Sequence, residues 1–203
     1  MRPFFHLQKI AGLILSLALA LPVSAATNRG VGPINVCYDY GCATQQEVYI
    51  SRKEWGEISG WFTEPAKDAS SEREKIRRAI GWMEVIIGRY TPTHRDKGQN
   101  EGQWGVDFPG QLDCIDESLN TTTYMKRIEQ EGLLKWHRVL DRAYRETFIN
   151  QHWSGQIEEI ATQERWVVDS WFQANGILPY IQRTTEWADI PYWFTSYIDN
   201  SPY

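Results

Sequence analysis

The spacing of apolar residues changes at Gly132, and that change limits what this chain can fold into. Before it, apolar residues recur every three or four positions: Trp55, Ile58, Trp61 and Phe62, then Ile76, Ala79, Ile80, Met83, Ile86 and Ile87. Such spacing puts them on one stripe of a helix. After it, the runs His137 to Tyr144, Phe148 to Ile160 and Arg165 to Phe172 read as strands alternating at a period of two. Helices first and neighbouring strands afterwards predict an α+β fold, with N-terminal helices packed on an antiparallel sheet.

Local signals place the helix ends. Ser51 with Glu54 three residues on forms a capping box for a helix over Tyr49 to Phe62, ended by Pro65. Ser70 or Ser71 opens a second helix, with Glu72 and Glu74 in its first turn and Gly88 and Pro92 as its stop. A third runs from about Asp113 to Glu131. Residues 26–36, the glycine-rich stretch Thr91 to Gly110 and the proline-punctuated C-terminus (Pro179, Pro191, Pro202) are expected to be irregular.

Arg2 and Lys9 flank the start of an apolar run, Ile10 to Leu21, followed by Pro22-Val23-Ser24-Ala25. This reads as a signal peptide over residues 1–25, cleaved before Ala26, with residues 26–203 as a single domain. The expected location is periplasmic or secreted. The run is short for a bilayer span and no later segment approaches it, so no integral membrane segment is expected after cleavage. The net charge is −5 and becomes more negative without Arg2 and Lys9, which argues against nucleic acid and anionic membrane as main partners. The oligomeric state stays open. The ten tryptophans and ten tyrosines could line a groove or fill a core.

Export permits a disulfide, and Cys37 and Cys42 enclose a four-residue loop containing Gly41. Their pairing is expected, with Cys114 remote from both. A metal pair at these positions would lack a second Cys or His pair. Cys114 is then the odd thiol. It starts the third helix, where unpaired N–H groups and the helix dipole favour thiolate. His152 lies in the second strand-like run and Asp169 in the third, on faces that antiparallel pairing can bring together. Nucleophile, base and base-orienting acid are therefore present in order. His137 is a fallback base, and His94 is expected in solvent. Asp113, Asp116 and Glu117 read as helix-start caps or, alternatively, as a divalent-ion site.

These segments resemble the transglutaminase-like cysteine peptidases of the papain-like superfamily. Their nucleophile motif, similar to Gly-x-Cys-x-Asp-x-Ala, has its counterpart in Leu112-Asp113-Cys114-Ile115-Asp116-Glu117-Ser118, where Leu112 departs from the glycine. Their His-Ala-Trp is similar to His152-Trp153, and their Trp-Val run ending in Asp is similar to Trp166-Val167-Val168-Asp169. The resemblance covers Gly110 to Phe172. It implies a papain-like/transglutaminase-like core and an exported cysteine peptidase or amidohydrolase. Cys114, His152 and Asp169 would be catalytic and Trp153 would help bind. Gln111 would be a candidate oxyanion donor, with Gln99 and Gln103 behind it. The implied substrate is a peptide or protein in the cell envelope, with no cofactor and no metal. Two other readings remain open: a catalytically inactive envelope binding or structural module keeping the same fold, and a redox thiol at Cys114.

Overall fold

The computed structural model describes residues 31–100, 109–146 and 151–189. The expected signal peptide, Gln103, residues 148–150 of the second strand-like run and the C-terminal stretch from 190 lie outside them.

The chain opens with a hairpin rather than an irregular segment. Strands β1 (Val31–Tyr38) and β2 (Thr44–Ile50) pair antiparallel, from Ile34 against Val48 to Tyr38 against Thr44. The register shifts between Val31 and Ile34, which is where Gly32 and Pro33 fall; a bulge tolerates a proline that cannot donate to the ladder. Ile34, Val36, Val48 and Ile50 are buried, and they drive the hairpin onto the helices despite its turn-rich composition.

Helix α1 (Arg52–Ser59) carries the expected Ser51–Glu54 capping box but is shorter than predicted. Its flanks belong to β2 and to a 3-10 turn at Gly60–Phe62. Helix α2 (Ala69–Ile87) starts earlier than Ser70, because the Asp68 carboxylate accepts from the Ser71 N–H at 2.7 Å. Helix α3 (Cys114–Gln130) is capped by Asp113, as the sequence indicated. Asn120 of α3 fixes β1 by accepting from the Cys37 N–H at 2.7 Å and donating to its carbonyl at 2.8 Å.

The first strand-like run divides into β3 (His137–Val139) and β4 (Ala143–Glu146). Both pair with β5 (Gln151–Glu159), at different segments of it. Strand β6 (Arg165–Asp169) is antiparallel to β5, with Gly155 opposite Val168 and Gln156 opposite Val167. The C-terminal expectation is corrected: Pro179 precedes strand β7 (Tyr180–Arg183), which extends the sheet beyond β6 and leads into helix α4 (Thr184–Asp189).

The result is a mixed α+β fold with helices packed against two β-sheets. Met83 and Ile87 of α2 and Met125 and Ile128 of α3 join Ile157 and Val168 in the main core. Gly155 lets α3 approach β5; a Cβ there would lie 2.9 Å from both Met125 Cε and Thr121 Cγ2. A smaller cluster of Ala143, Val167 and Trp187 covers part of the sheet with α4. His152 and Asp169 lie beside that cluster.

Candidate functional site

Two-residue periodicity put His152 and Asp169 on one face of the sheet, and the structure joins them. His152 Nε2 and Asp169 Oδ2 are 2.8 Å apart, with residue exposures of 2 % and 1 %. The same carboxylate oxygen accepts from the Trp187 indole N–H at 2.8 Å. The imidazole is enclosed by Trp171, Phe172 and Trp187, at ring-centroid distances of 4.9, 5.5 and 5.6 Å. Burial alone would lower its pKa. The Asp169 charge and hydrogen bond outweigh burial, and the neighbouring Cys114 side chain adds to them, carrying it up to about 9. His152 is therefore an imidazolium at neutral pH, which makes the buried pair ionic.

Cys114 is a half-buried free thiol at the first position of α3. The helix end it occupies is already occupied by carboxylates. Asp113 Oδ1 accepts from the N–H groups of Ile115 and Asp116, both at 3.0 Å. Cys37 and Cys42 form the expected disulfide, with Cα atoms 4.6 Å apart. The expectation that Cys114 is remote from them is corrected: their loop docks on Asp113 and Asp116, which flank Cys114. Asp39, Tyr40, Gly41 and Cys42 all have φ between 59° and 67°. This left-handed run turns successive N–H groups the same way. Gly41 N–H reaches Asp113 Oδ2 at 2.8 Å, while Tyr40 and Cys42 N–H reach Asp116 at 2.9 and 2.6 Å.

Gln111 is likewise committed to structure. Its amide donates to the Arg95 carbonyl at 2.6 Å and accepts from the Lys97 N–H at 3.3 Å and from Asn100 at 2.5 Å. Gln99 lies in a left-handed turn, and its N–H donates to the Trp171 carbonyl at 2.7 Å. His137 is buried, with Nδ1 2.9 Å from Glu72 Oε1. Burial pushes Glu72 upward, but the His137 bond and charge, with the Lys135 and Trp136 N–H groups, hold it below the usual carboxylate range. His94 is exposed, as expected, with its Nδ1 within 3.1 Å of the Gly88 and Thr91 carbonyls.

A buried acidic network lies under the helix start. Burial raises Glu84 and Asp96, to about 8 and about 7, and raises Asp116 to about 7 with help from the Asp113 charge. It pushes Glu117 well above the ordinary range, with the charges of Glu84, Asp96, Asp116 and Asp169 adding to the effect.

Trp153 alternates with His152 and faces the α3 side of the sheet. Leu119, Thr122, Thr123 and Lys126 of α3 form one wall of a cleft of about 360 Å³, and Asp141, Arg142 and Trp153 form the other. The Arg142 guanidinium lies 4.5 Å from the Trp153 ring centroid and donates to Ser118 Oγ at 3.1 Å. Tyr144 packs against the same indole at 4.6 Å, its ring tilted by 41°. Arg142 gives no sequence signal. Trp187 sits in a helix too short to show periodicity.

The expectation of a thiol enzyme is corrected. Among the described residues no three His, Cys, Asp or Glu side chains gather closely enough to hold one ion between them. Two of the three cysteines are oxidised to the disulfide. Asp113 takes the N–H groups that would have stabilised a Cys114 thiolate, and Gln111 is bound within its loop. His152 and Asp169 form a buried ion pair, with the Cys114 side chain beside the imidazole. The expectations of a cysteine peptidase, a hydrolase and a catalytic triad are corrected with that of a thiol enzyme.

No family model, curated protein or solved structure matches the chain. No helix among the described residues is long and apolar enough to cross a membrane.

Proposed function

We propose that this chain is a non-catalytic binding module of the cell envelope that holds a peptide or protein ligand in the cleft between α3 and Trp153. The observation that carries this reading is the cleft wall in which Arg142 lies over Trp153, with Tyr144 against the same indole. An arginine stacked on one indole face, with a tyrosine beside it, is a pre-ordered recognition surface opening on a cleft of ligand size. The Cys37–Cys42 disulfide supports an oxidising, extracytoplasmic location. In this reading the helix-on-sheet core is a scaffold like that of transglutaminase-like peptidases, with its histidine and acid kept as a buried brace.

An array of immobilised synthetic hexapeptides tests the reading. Wild type and Cys114→Ser should retain the same members, Trp153→Ala should retain none, and mass spectrometry should find every peptide intact. Cleavage by wild type that Cys114→Ser abolishes would overturn the proposal, as would retention that ignores Trp153.

A further inference from the structure

The charge pairing of Arg142 departs from that of other partly buried arginines. Arg73 meets Glu159 at 3.0 Å, Arg77 meets Glu74 at 3.7 Å, and Arg127 meets Glu131 at 3.6 Å. Arg142 is half-buried in the cleft wall, yet among the described residues no carboxylate lies within ion-pair distance of it. Its adjacent acid, Asp141, is fully solvent-exposed and turned to Lys126 at 3.6 Å. Burial pulls the guanidinium pKa below its ordinary value, while the neighbouring Cys114 opposes that shift. A partly desolvated cation with Cys114 beside it but no carboxylate in ion-pair reach is costly unless something else supplies a full counter-charge.

The orientation of the side chain narrows what that could be. One face of the guanidinium is against Trp153 and one N–H is taken by Ser118 Oγ. A guanidinium has five N–H donors in a rigid plane, so further donors remain, in the fork geometry that fits a carboxylate bidentately. The Trp153 ring and the Ser118 hydroxyl hold the guanidinium in place in advance and lower the entropy lost on binding. Leu119 and the Trp153 ring supply apolar surface beside it, enough for a small side chain next to the acid.

We infer that Arg142 is the anchor for a ligand carboxylate, so that the cleft selects peptides presenting a free acid group to it. The inference rests on the binding-module reading and names its ligand chemistry. The acid can be a chain terminus or an Asp or Glu side chain, since both present the same two oxygens to the fork. Lys126 adds a second positive charge at the cleft, and its exposed pairing with Asp141 is weak enough to rearrange.

Calorimetric titration with three short peptides tests it: acetyl-Ala-Ala with a free terminal carboxylate, acetyl-Ala-Glu-amide with only a side-chain acid, and acetyl-Ala-Ala-amide with neither. At least one acid should bind about tenfold or more tighter than the neutral amide, and which acid does so identifies the source of the carboxylate. Arg142→Gln should remove that preference. Arg142→Lys should restore part of it, because a point charge replaces the fork. Unchanged unfolding midpoints in both variants show that the site and not the fold was altered. Equal binding of acids and amide overturns the carboxylate anchor while leaving the cleft as a binding site. Failure of all three to bind overturns both readings. Preference that survives in Arg142→Gln assigns the role to another cation and overturns this one.

Discussion

Glu84→Gln should make the protein more stable at alkaline pH, although it replaces a buried acid in the last turn of α2. Glu84 is 7 % exposed in α2. One oxygen accepts from the Gly176 N–H at 2.8 Å, and the other is buried without a protein hydrogen-bond partner. Burial is the main reason its pKa rises from 4.5 to about 8; the Gly176 and Ser170 hydrogen bonds pull the other way, and the Asp96 charge adds to the rise. Glu117 faces it, raised by burial first and by Glu84 next. Because the folded pKa lies above the unfolded one, the native state holds a proton that the unfolded chain has released between those values. The stabilisation is fully present below pH 4.5 and is lost as pH rises through about 8. Moving one carboxyl over that interval corresponds to on the order of 5 kcal/mol between pH 4 and pH 9, at about 1.4 kcal/mol per pH unit. Glutamine keeps the acceptor for Gly176 and cannot ionise. The variant should match wild type within about 1 kcal/mol at pH 5, allowing for an imperfectly paired amide hydrogen. At pH 9 it should gain a few kcal/mol, or about 1–3 M in urea midpoint at an ordinary slope. Urea unfolding at unit pH steps from 5 to 9 reads this directly. Parallel wild-type and variant curves across that range would show that Glu84 is ionised in the folded state throughout and would refute the reasoning.

Asp169→Asn should lower the His152 pKa from about 9 by removing its main support, leaving burial opposed by Cys114 alone among the causes named above. The wild-type pair stabilises fully below the ordinary histidine value of 6.5 and loses its effect as pH rises through about 9; ring-proton NMR titration and unfolding at pH 6 should show a lower pKa and a loss of roughly 3–5 kcal/mol. Gly155→Ala should destabilise by about 1–3 kcal/mol, because the added methyl meets Met125 and Thr121 at 2.9 Å; thermal unfolding checks it, and a neutral outcome would mean α3 shifts freely on β5. Replacing both Cys37 and Cys42 with Ser should remove about 2 kcal/mol through the denatured state, read as a lower urea midpoint.

Features set by residues close in sequence were legible, and features set by what docks on them were not. Asp113 as the α3 cap and Ser51–Glu54 as the α1 box depend only on a few consecutive residues. The shared face of His152 and Asp169 needed only the two-residue period and antiparallel pairing. Asp39, Tyr40 and Cys42 adopt left-handed backbone that few non-glycine residues visit, so sequence gave no reason to aim their N–H groups at α3. Those contacts turned the expected thiolate-stabilising helix end into a carboxylate-filled joint.

The buried acids teach a different lesson, because part of their signal was present. Glu72 lies four residues before Ile76, and Glu84 lies four after Ile80 and three before Ile87. Both therefore fall on the apolar stripe of α2, where a carboxylate needs a partner or a proton. The two solve that problem differently. Glu72 meets three N–H groups and His137 and stays ionised below its usual range, tying α2 to the start of β3. Glu84 accepts from the Gly176 N–H, has Glu117 for company, and holds a proton instead. Which outcome applies is decided by the long-range arrival of residues 135–137 in one case and of Gly176 in the other, and helical periodicity contains neither. A carboxylate on an apolar helix stripe thus marks a place where the tertiary fold must act, without specifying how.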